Sequence, residues 1–207
     1  IFFKSNKFIK GDVLEIGAGL GSFTSTYFKN ANRITVSELD PFNLEFLKKK
    51  FAKKNIKIID KYVTEINVNF DSIIYMNVLE HIEKDEEEIN NSLKILNRNG
   101  MLIILVPAHQ KLFSKFDKEI GHFRRYDLNF FKNLHLQDAK IEKLYYLDSA
   151  GYFLYYLNKL FFKNESYPSA LKIFIWDKFF TPISLFFDFF TNYKFGKNVL
   201  CVIKKIN

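Results

Sequence analysis

The sequence predicts a doubly wound α/β fold, and three observations carry the prediction. Apolar runs of strand length alternate with charged, amphipathic stretches of helix length from residue 13 to residue 106. The first run, Val13-Leu14-Glu15-Ile16, leads straight into the glycine-rich Gly17-Ala18-Gly19-Leu20-Gly21. A further run, Met101 to Val106, holds no polar residue at all, the composition of a strand covered on both faces as in a parallel sheet.

The elements follow in order. Gly11-Asp12 is the turn before the first strand, and a helix is expected from about Ser22 to Lys29, ending at Asn30-Ala31-Asn32. Arg33 to Ser37 is β-branched and alternating, a second strand, and Pro41 opens the next helix. Phe42, Leu44, Phe46, Leu47 and Phe51 form the apolar stripe of that helix, with lysines opposite. Ile56 to Asp60 is the third strand, Asp71 to Met76 the fourth, and Met101 to Val106 the fifth, preceded by an Asn99-Gly100 turn. Lys140 to Leu147 and Asn198 to Lys204 read as strands six and seven. Between them, helical pieces broken near Pro168 and Pro182 are expected, and 19 of the chain's aromatic residues fall between Tyr145 and Phe195.

Size and composition bound the answer. The 207 residues suit one domain, with a core over 11–147 and 198–205 and a helical insertion over 148–197. The insertion has three readings: an apolar lid or internal packing, a membrane-interface segment over 150–195, or a dimer surface. The net charge of +8 admits an acidic partner. Nucleic acid is disfavoured, because basic and aromatic residues are segregated and no recognition motif is present. The single Cys201 excludes an internal disulfide, so a reducing cytoplasm is expected. No signal peptide is recognisable and no uncharged apolar run reaches the roughly 18 residues of a membrane span. Peripheral contact at the inner face of the membrane remains compatible with the insertion.

The residues that carry chemistry sit at strand ends. Three alternating glycines let the backbone approach a ligand closely, under the positive end of the following helix. Glu38, at the end of strand two, can accept both ribose hydroxyls of an adenosine. Asp40 competes for that role or caps the next helix. Asp60 lies within reach of an adenine amino group. Asn77-Val78-Leu79-Glu80-His81-Ile82 follows strand four, where open α/β sheets bind ligands. Val106-Pro107-Ala108-His109 follows strand five, and Asp117 leads into Gly121-His122-Phe123-Arg124-Arg125-Tyr126. His109 and His122 are the base candidates. Arg124 and Arg125 can fork an anion, or else bridge helix carbonyls as structural groups. His81 is a base or a loop-fixing residue. No metal is expected, since no partner carboxylate or histidine stands at ligand spacing on its segment.

The spacing G-x-G-x-G after Glu15, the NVLEHI run and the GHFRRY run together resemble class I S-adenosylmethionine-dependent methyltransferases. The last two resemble a branch met beside enzymes of surface-polysaccharide and lipid-linked sugar synthesis. The resemblance covers about residues 11–130, and weakly 199–204. It implies a Rossmann-like sheet of seven strands with the last antiparallel, and S-adenosylmethionine as cofactor, leaving as S-adenosylhomocysteine. By the same resemblance Glu15, Gly17, Ala18, Gly19 and Gly21 surround the methionine moiety, and Glu38 and Leu39 the ribose. Asp60 lies by the adenine, and Asn77, Val78 and Leu79 near the sulfonium. His81, Arg124, Arg125 and Tyr126 then face the acceptor, a small molecule, sugar or lipid-linked sugar. Two alternatives stand beside this reading: an NAD(P)-dependent oxidoreductase, which would share the glycines and Glu38, and a non-catalytic binder of an adenosyl cofactor. The Tyr155-x-x-x-Lys159 spacing such oxidoreductases use falls in the aromatic insertion, where it reads as coincidence.

Overall fold

The structure, a computed structural model, describes residues 5–153 and 181–207. Its strands are β1 (Asp12–Ile16), β2 (Arg33–Ser37), β3 (Ile56–Ile59), β4 (Phe70–Met76), β5 (Leu96–Pro107), β6 (Ala139–Leu147) and β7 (Asn198–Lys205). They form one sheet in the order β3-β2-β1-β4-β5-β7-β6. All neighbouring pairs from β3 to β5 are parallel, while β7 runs antiparallel to both β5 and β6. The fold class expected from the sequence is the one observed.

Side-chain alternation explains why the sheet needs cover on both faces. On one face Leu14, Ile73, Tyr75, Leu102, Ile104 and Cys201 join one cluster of buried residues. On the other, Val13, Val36, Ile74, Ile103, Leu105 and Val202 join a second one with Tyr27, Leu47 and Phe51. The described helices are α1 (Thr24–Tyr27), α2 (Pro41–Lys50), α3 (Asp85–Lys94), α4 (Lys115–Glu119), α5 (Leu128–Lys132) and α6 (Thr181–Phe190). Asp40 settles one open choice: its carboxylate accepts the Asn43 N–H at 2.8 Å and Pro41 occupies the first turn, so Asp40 is the cap of α2.

Two elements differ from expectation. The helix expected over Ser22–Lys29 contracts to the four residues of α1, after turns that complete the glycine loop. Ser25 and Thr26 turn their hydroxyls back onto the Gly21 and Phe23 carbonyls, which competes with helix extension. Strand β5 starts at Leu96 rather than Met101, because Leu96 pairs with Phe70 ahead of an irregularity at Asn99-Gly100, where Asn99 has φ of 61°. In the insertion, Pro182 falls within α6, whereas Pro168 lies outside the described residues. Strand order reverses between β1 and β4, so the crevice that accepts ligands in such sheets opens beyond the carboxyl ends of these two strands.

Candidate active site

The glycine turn leaves β1 at that crevice. Gly17, Gly19 and Gly21 have φ of 64°, 55° and 66°, the left-handed region that favours glycine. Their surroundings differ. A Cβ on Gly17 would lie 2.7 Å from Val78, and one on Gly21 would lie 2.6 Å from Phe51 and 2.7 Å from Leu47. Gly19 has nothing within 4 Å of that position and faces open space. Gly17 and Gly21 therefore let the turn nest against its neighbours, and Gly19 gives a ligand access to bare backbone.

Glu38 closes the turn from β2. It is 7% exposed, and its carboxylate accepts the Gly19 N–H at 2.6 Å and the Asp40 N–H at 2.9 Å. Leu39 beside it is 46% exposed, and Asp60 is exposed just past β3. Lys50, which in the sequence reads as one of a solvated lysine run, instead donates to the Leu20 and Gly21 carbonyls at 2.8 and 3.0 Å. The sequence carries no signal for that role beyond its place in the last turn of α2.

Glu15 sits beneath the turn rather than in its opening. It is 1% exposed, and one carboxylate oxygen accepts the Thr24 and Tyr27 hydroxyls at 2.7 and 2.5 Å. Burial pushes its pKa up to about 7 against the pull of those two hydroxyls. Its visible work is to tie β1 to α1, so direct contact with a cofactor ammonium has no support in this arrangement.

The three downstream motifs assemble into one unit although the sequence separates them widely. Ala108 and Tyr126 form a parallel bridge, the Tyr126 N–H donates to the Pro107 carbonyl, and the Phe123 N–H donates to the Glu80 carbonyl. Asn77 and His109, at the ends of β4 and β5, both have positive φ, of 55° and 63°. Such strain in residues other than glycine is common at ligand-binding edges.

The residues expected to face the acceptor, Arg124, Arg125 and Tyr126, are each engaged with other groups of the protein. Arg124 bonds Asp85 Oδ2 and the Glu83 carbonyl, both at 2.9 Å. Arg125 is 8% exposed and forks Asp117 at 2.9 and 2.8 Å. Tyr126 is 1% exposed, with its hydroxyl directed at Asp85 Oδ2 and the Leu79 carbonyl. These groups pin the motif to α3 and α4, the bridging role the sequence allowed as an alternative. The three residues nevertheless line a cavity of about 490 Å³ together with Asp127, Lys132 and Tyr146.

The two base candidates belong to different surroundings. The ring of His109 lies between Tyr146 and Tyr152, at 4.7 and 4.8 Å. Its Nε2 donates to the Gly196 carbonyl at 3.0 Å and its Nδ1 faces Asp127 at 3.3 Å, so neither nitrogen is left for an acceptor. Burial lowers its pKa and Asp127 opposes that. His122 differs. Asp117 can only accept, so Nδ1 of His122 carries the hydrogen at 3.0 Å and Nε2 of the neutral ring keeps its lone pair. That lone pair points toward Glu80 Oε1, 3.8 Å away, and the His122 ring meets the His81 ring edge-on at 4.6 Å. Burial lowers the pKa of both histidines. Burial pushes Glu80 up to about 8, opposed by its own backbone N–H and by Arg125.

The model of the family described as "Methyltransferase domain" matches residues 14–102, the stretch from β1 into β5. Residues 14–102 form a methyltransferase domain. That domain makes the chain a methyltransferase. No curated protein matches the sequence. Among solved structures, the N-methyltransferase NodS from Bradyrhizobium japonicum WM9 is similar at 14% identity over 100% of this chain and 93% of that one, with a TM-score of 0.62. In its complex with S-adenosylhomocysteine the TM-score is 0.59, over 95% and 78%. Coclaurine N-methyltransferase, bound to N-methylheliamine and S-adenosylhomocysteine, is similar at 15% identity over 99% and 70%, with a TM-score of 0.66. The cyclase SpnF has a TM-score of 0.68 at 12% identity, over 99% and 79%. Identities this low show a shared fold. Of the described residues, no helix is long and apolar enough to cross a membrane.

Proposed function

We propose that this methyltransferase transfers its methyl group to a small polar acceptor, a sugar or lipid-linked sugar, by in-line attack of an acceptor nucleophile on the sulfonium methyl. The observation that carries the cofactor half is the cradle itself: Gly19 opens on empty space at the reversal of strand order, with Glu38 closed over it. Glu38 exchanges its bonds to the Gly19 and Asp40 N–H groups for the ribose hydroxyls. Leu39 supplies an apolar wall, and Asp60 stands within reach of the base. Asn77 and Val78 flank the reacting methyl, whereas Leu79, expected beside them, is fully buried in the core behind the loop. The methyl is activated by its own positive charge, so the protein contributes alignment and exclusion of water. The acceptor half is supported by the cavity that Arg124, Lys132 and Tyr146 line together with apolar Leu128 and Phe130, of a size for a small molecule.

A lipid-linked acceptor is favoured by α6, where Phe186, Phe189 and Phe190 are 62%, 70% and 66% exposed. Apolar rings at that density suit contact with lipid tails.

Calorimetry against S-adenosylhomocysteine and NAD tests the cofactor half. Tight binding of the first and none of the second is expected, and the reverse would replace the reading with an oxidoreductase. Transfer of a labelled methyl group to pools of sugars, nucleotide sugars and lipid-linked sugars tests the acceptor. Label appearing only in protein or nucleic acid would overturn it. Flotation with liposomes at low and high salt checks the lipid contact, which fails if the protein stays unbound at both.

A further inference from the structure

The geometry points to a divalent transition-metal site formed by Glu80, His81 and His122, beside the loop that borders the cofactor crevice. One donor atom from each of the three residues lies within 4.8 Å of the others. The separation between His122 Nε2 and Glu80 Oε1 is 3.8 Å. Two donors each about 2.1 Å from a tetrahedral zinc-like ion stand roughly 3.4 Å apart, so the His122–Glu80 pair needs to close by a few tenths of an ångström and the widest pair by up to about 1.4 Å, within reach of a rotation of the exposed His81 ring.

A second observation, independent of the spacing, is Glu80 itself. Its side chain lies on the 3-10 turn Leu79–His81, wholly buried, and neither carboxylate oxygen has a hydrogen-bond partner. A buried carboxyl group without partners is costly, and structures rarely keep one without a reason. A cation placed between Glu80 and the two rings would satisfy it.

The orientation of the rings supports the same conclusion. Asp117 holds Nδ1 of His122, which leaves Nε2 directed at Glu80. His81 is held by a hydrogen bond to the Gly121 backbone. Metal-binding histidines characteristically give their second nitrogen to a carboxylate or a carbonyl, which fixes the tautomer and aims the ring. Asp117 is itself fixed by Arg125 and Ser114. His81 is exposed, so an ion has a path from solvent. Two imidazoles and one carboxylate suit zinc, cobalt or iron rather than magnesium or calcium, and three ligands leave a position open for an oxygen. A hydroxyl bound there would lose its proton more readily than in water. With the ion bound, His122 is a ligand and not a proton acceptor. The site does not depend on the acceptor proposed above.

The test uses the full chain, free of any affinity tag and stripped with a chelator. Titration with Co2+, followed by its visible absorption, and calorimetry with Zn2+ should both show one ion per chain. Glu80→Gln, His122→Ala and His81→Ala should each weaken binding by about tenfold or more, and His135→Ala, on an exposed residue away from the cluster, should not. His81 is exposed, so His81→Ala keeps the fold and leaves the result readable should the two buried variants unfold. Absence of stoichiometric binding, or binding that His81→Ala leaves unchanged, overturns the site. S-adenosylhomocysteine binding measured on the same stripped protein separates the two ideas: if it persists while no ion binds, the metal site alone is rejected.

Discussion

Gly19 and Gly21 share a sequence pattern and a positive φ, yet they answer to different constraints. Alanine at Gly19 meets only the backbone strain of the left-handed region, about 1–2 kcal/mol. Gly19→Ala should therefore stay folded and lose affinity for S-adenosylhomocysteine. Alanine at Gly21 adds a collision with buried Leu47 and Phe51, on the order of another 1–3 kcal/mol. Urea unfolding of the two variants should rank them in that order. Glu38→Ala should weaken S-adenosylhomocysteine by about 1–3 kcal/mol through lost charged hydrogen bonds, measured by calorimetry. Unchanged affinity would remove Glu38 from the site. Glu15 predicts a pH effect. Its carboxyl titrates near 7 in the fold against an ordinary 4.5, so the native state holds the proton more tightly than the unfolded chain. Its favourable contribution is complete below pH 4.5 and fades as pH rises to 7, by about 3 kcal/mol at most. Glu15→Gln should flatten that decline in urea unfolding of the cofactor-free protein at pH 5 and pH 7.5.

At the scale of elements, the segment from Asp117 to Tyr126 behaves as a clamp. Asp117, 1% exposed, holds Arg125, His122 and Ser114 at once. Asp117→Ala leaves Arg125 without its fork and should cost about 3–5 kcal/mol, while the double variant Asp117→Ala/Arg125→Met should recover part of it. A double-mutant cycle from urea unfolding measures the difference, and simple additivity would refute a coupled pair. This segment also shows where sequence reading stops. Strand-length apolar runs such as Met101 to Val106 announced their place, because alternation and burial on both faces are local properties. Arg125 and Tyr126 announced their chemistry without their partners. The spacing along Leu79–His81 held no second ligand, and metal chemistry was set aside for that reason. Folding then delivers His122 from the far side of β5. The short α1 was equally hidden, since only the geometry of the glycine loop turns the Ser25 and Thr26 hydroxyls backward.

For the whole molecule, the resemblance along about residues 11–130, the match over residues 14–102 and the sheet order agree on one architecture. The half beyond residue 102 carries the clamp, the cavity and α6. Strand β7 is the last in sequence yet is paired on both edges, to β5 through Met101–Pro107 and to β6 through Ala139–Leu147. Deleting residues 198–207 should therefore release β6 as well, seen as lost amide-exchange protection at Tyr145 and Leu147, while β1 to β4 keep theirs. A ribosome making this protein thus holds an unfinished sheet, with one flank bare, until its closing strand emerges. Until then the bare edge of β5 is open to another chain, and the interval between translation and closure is when aggregation threatens most.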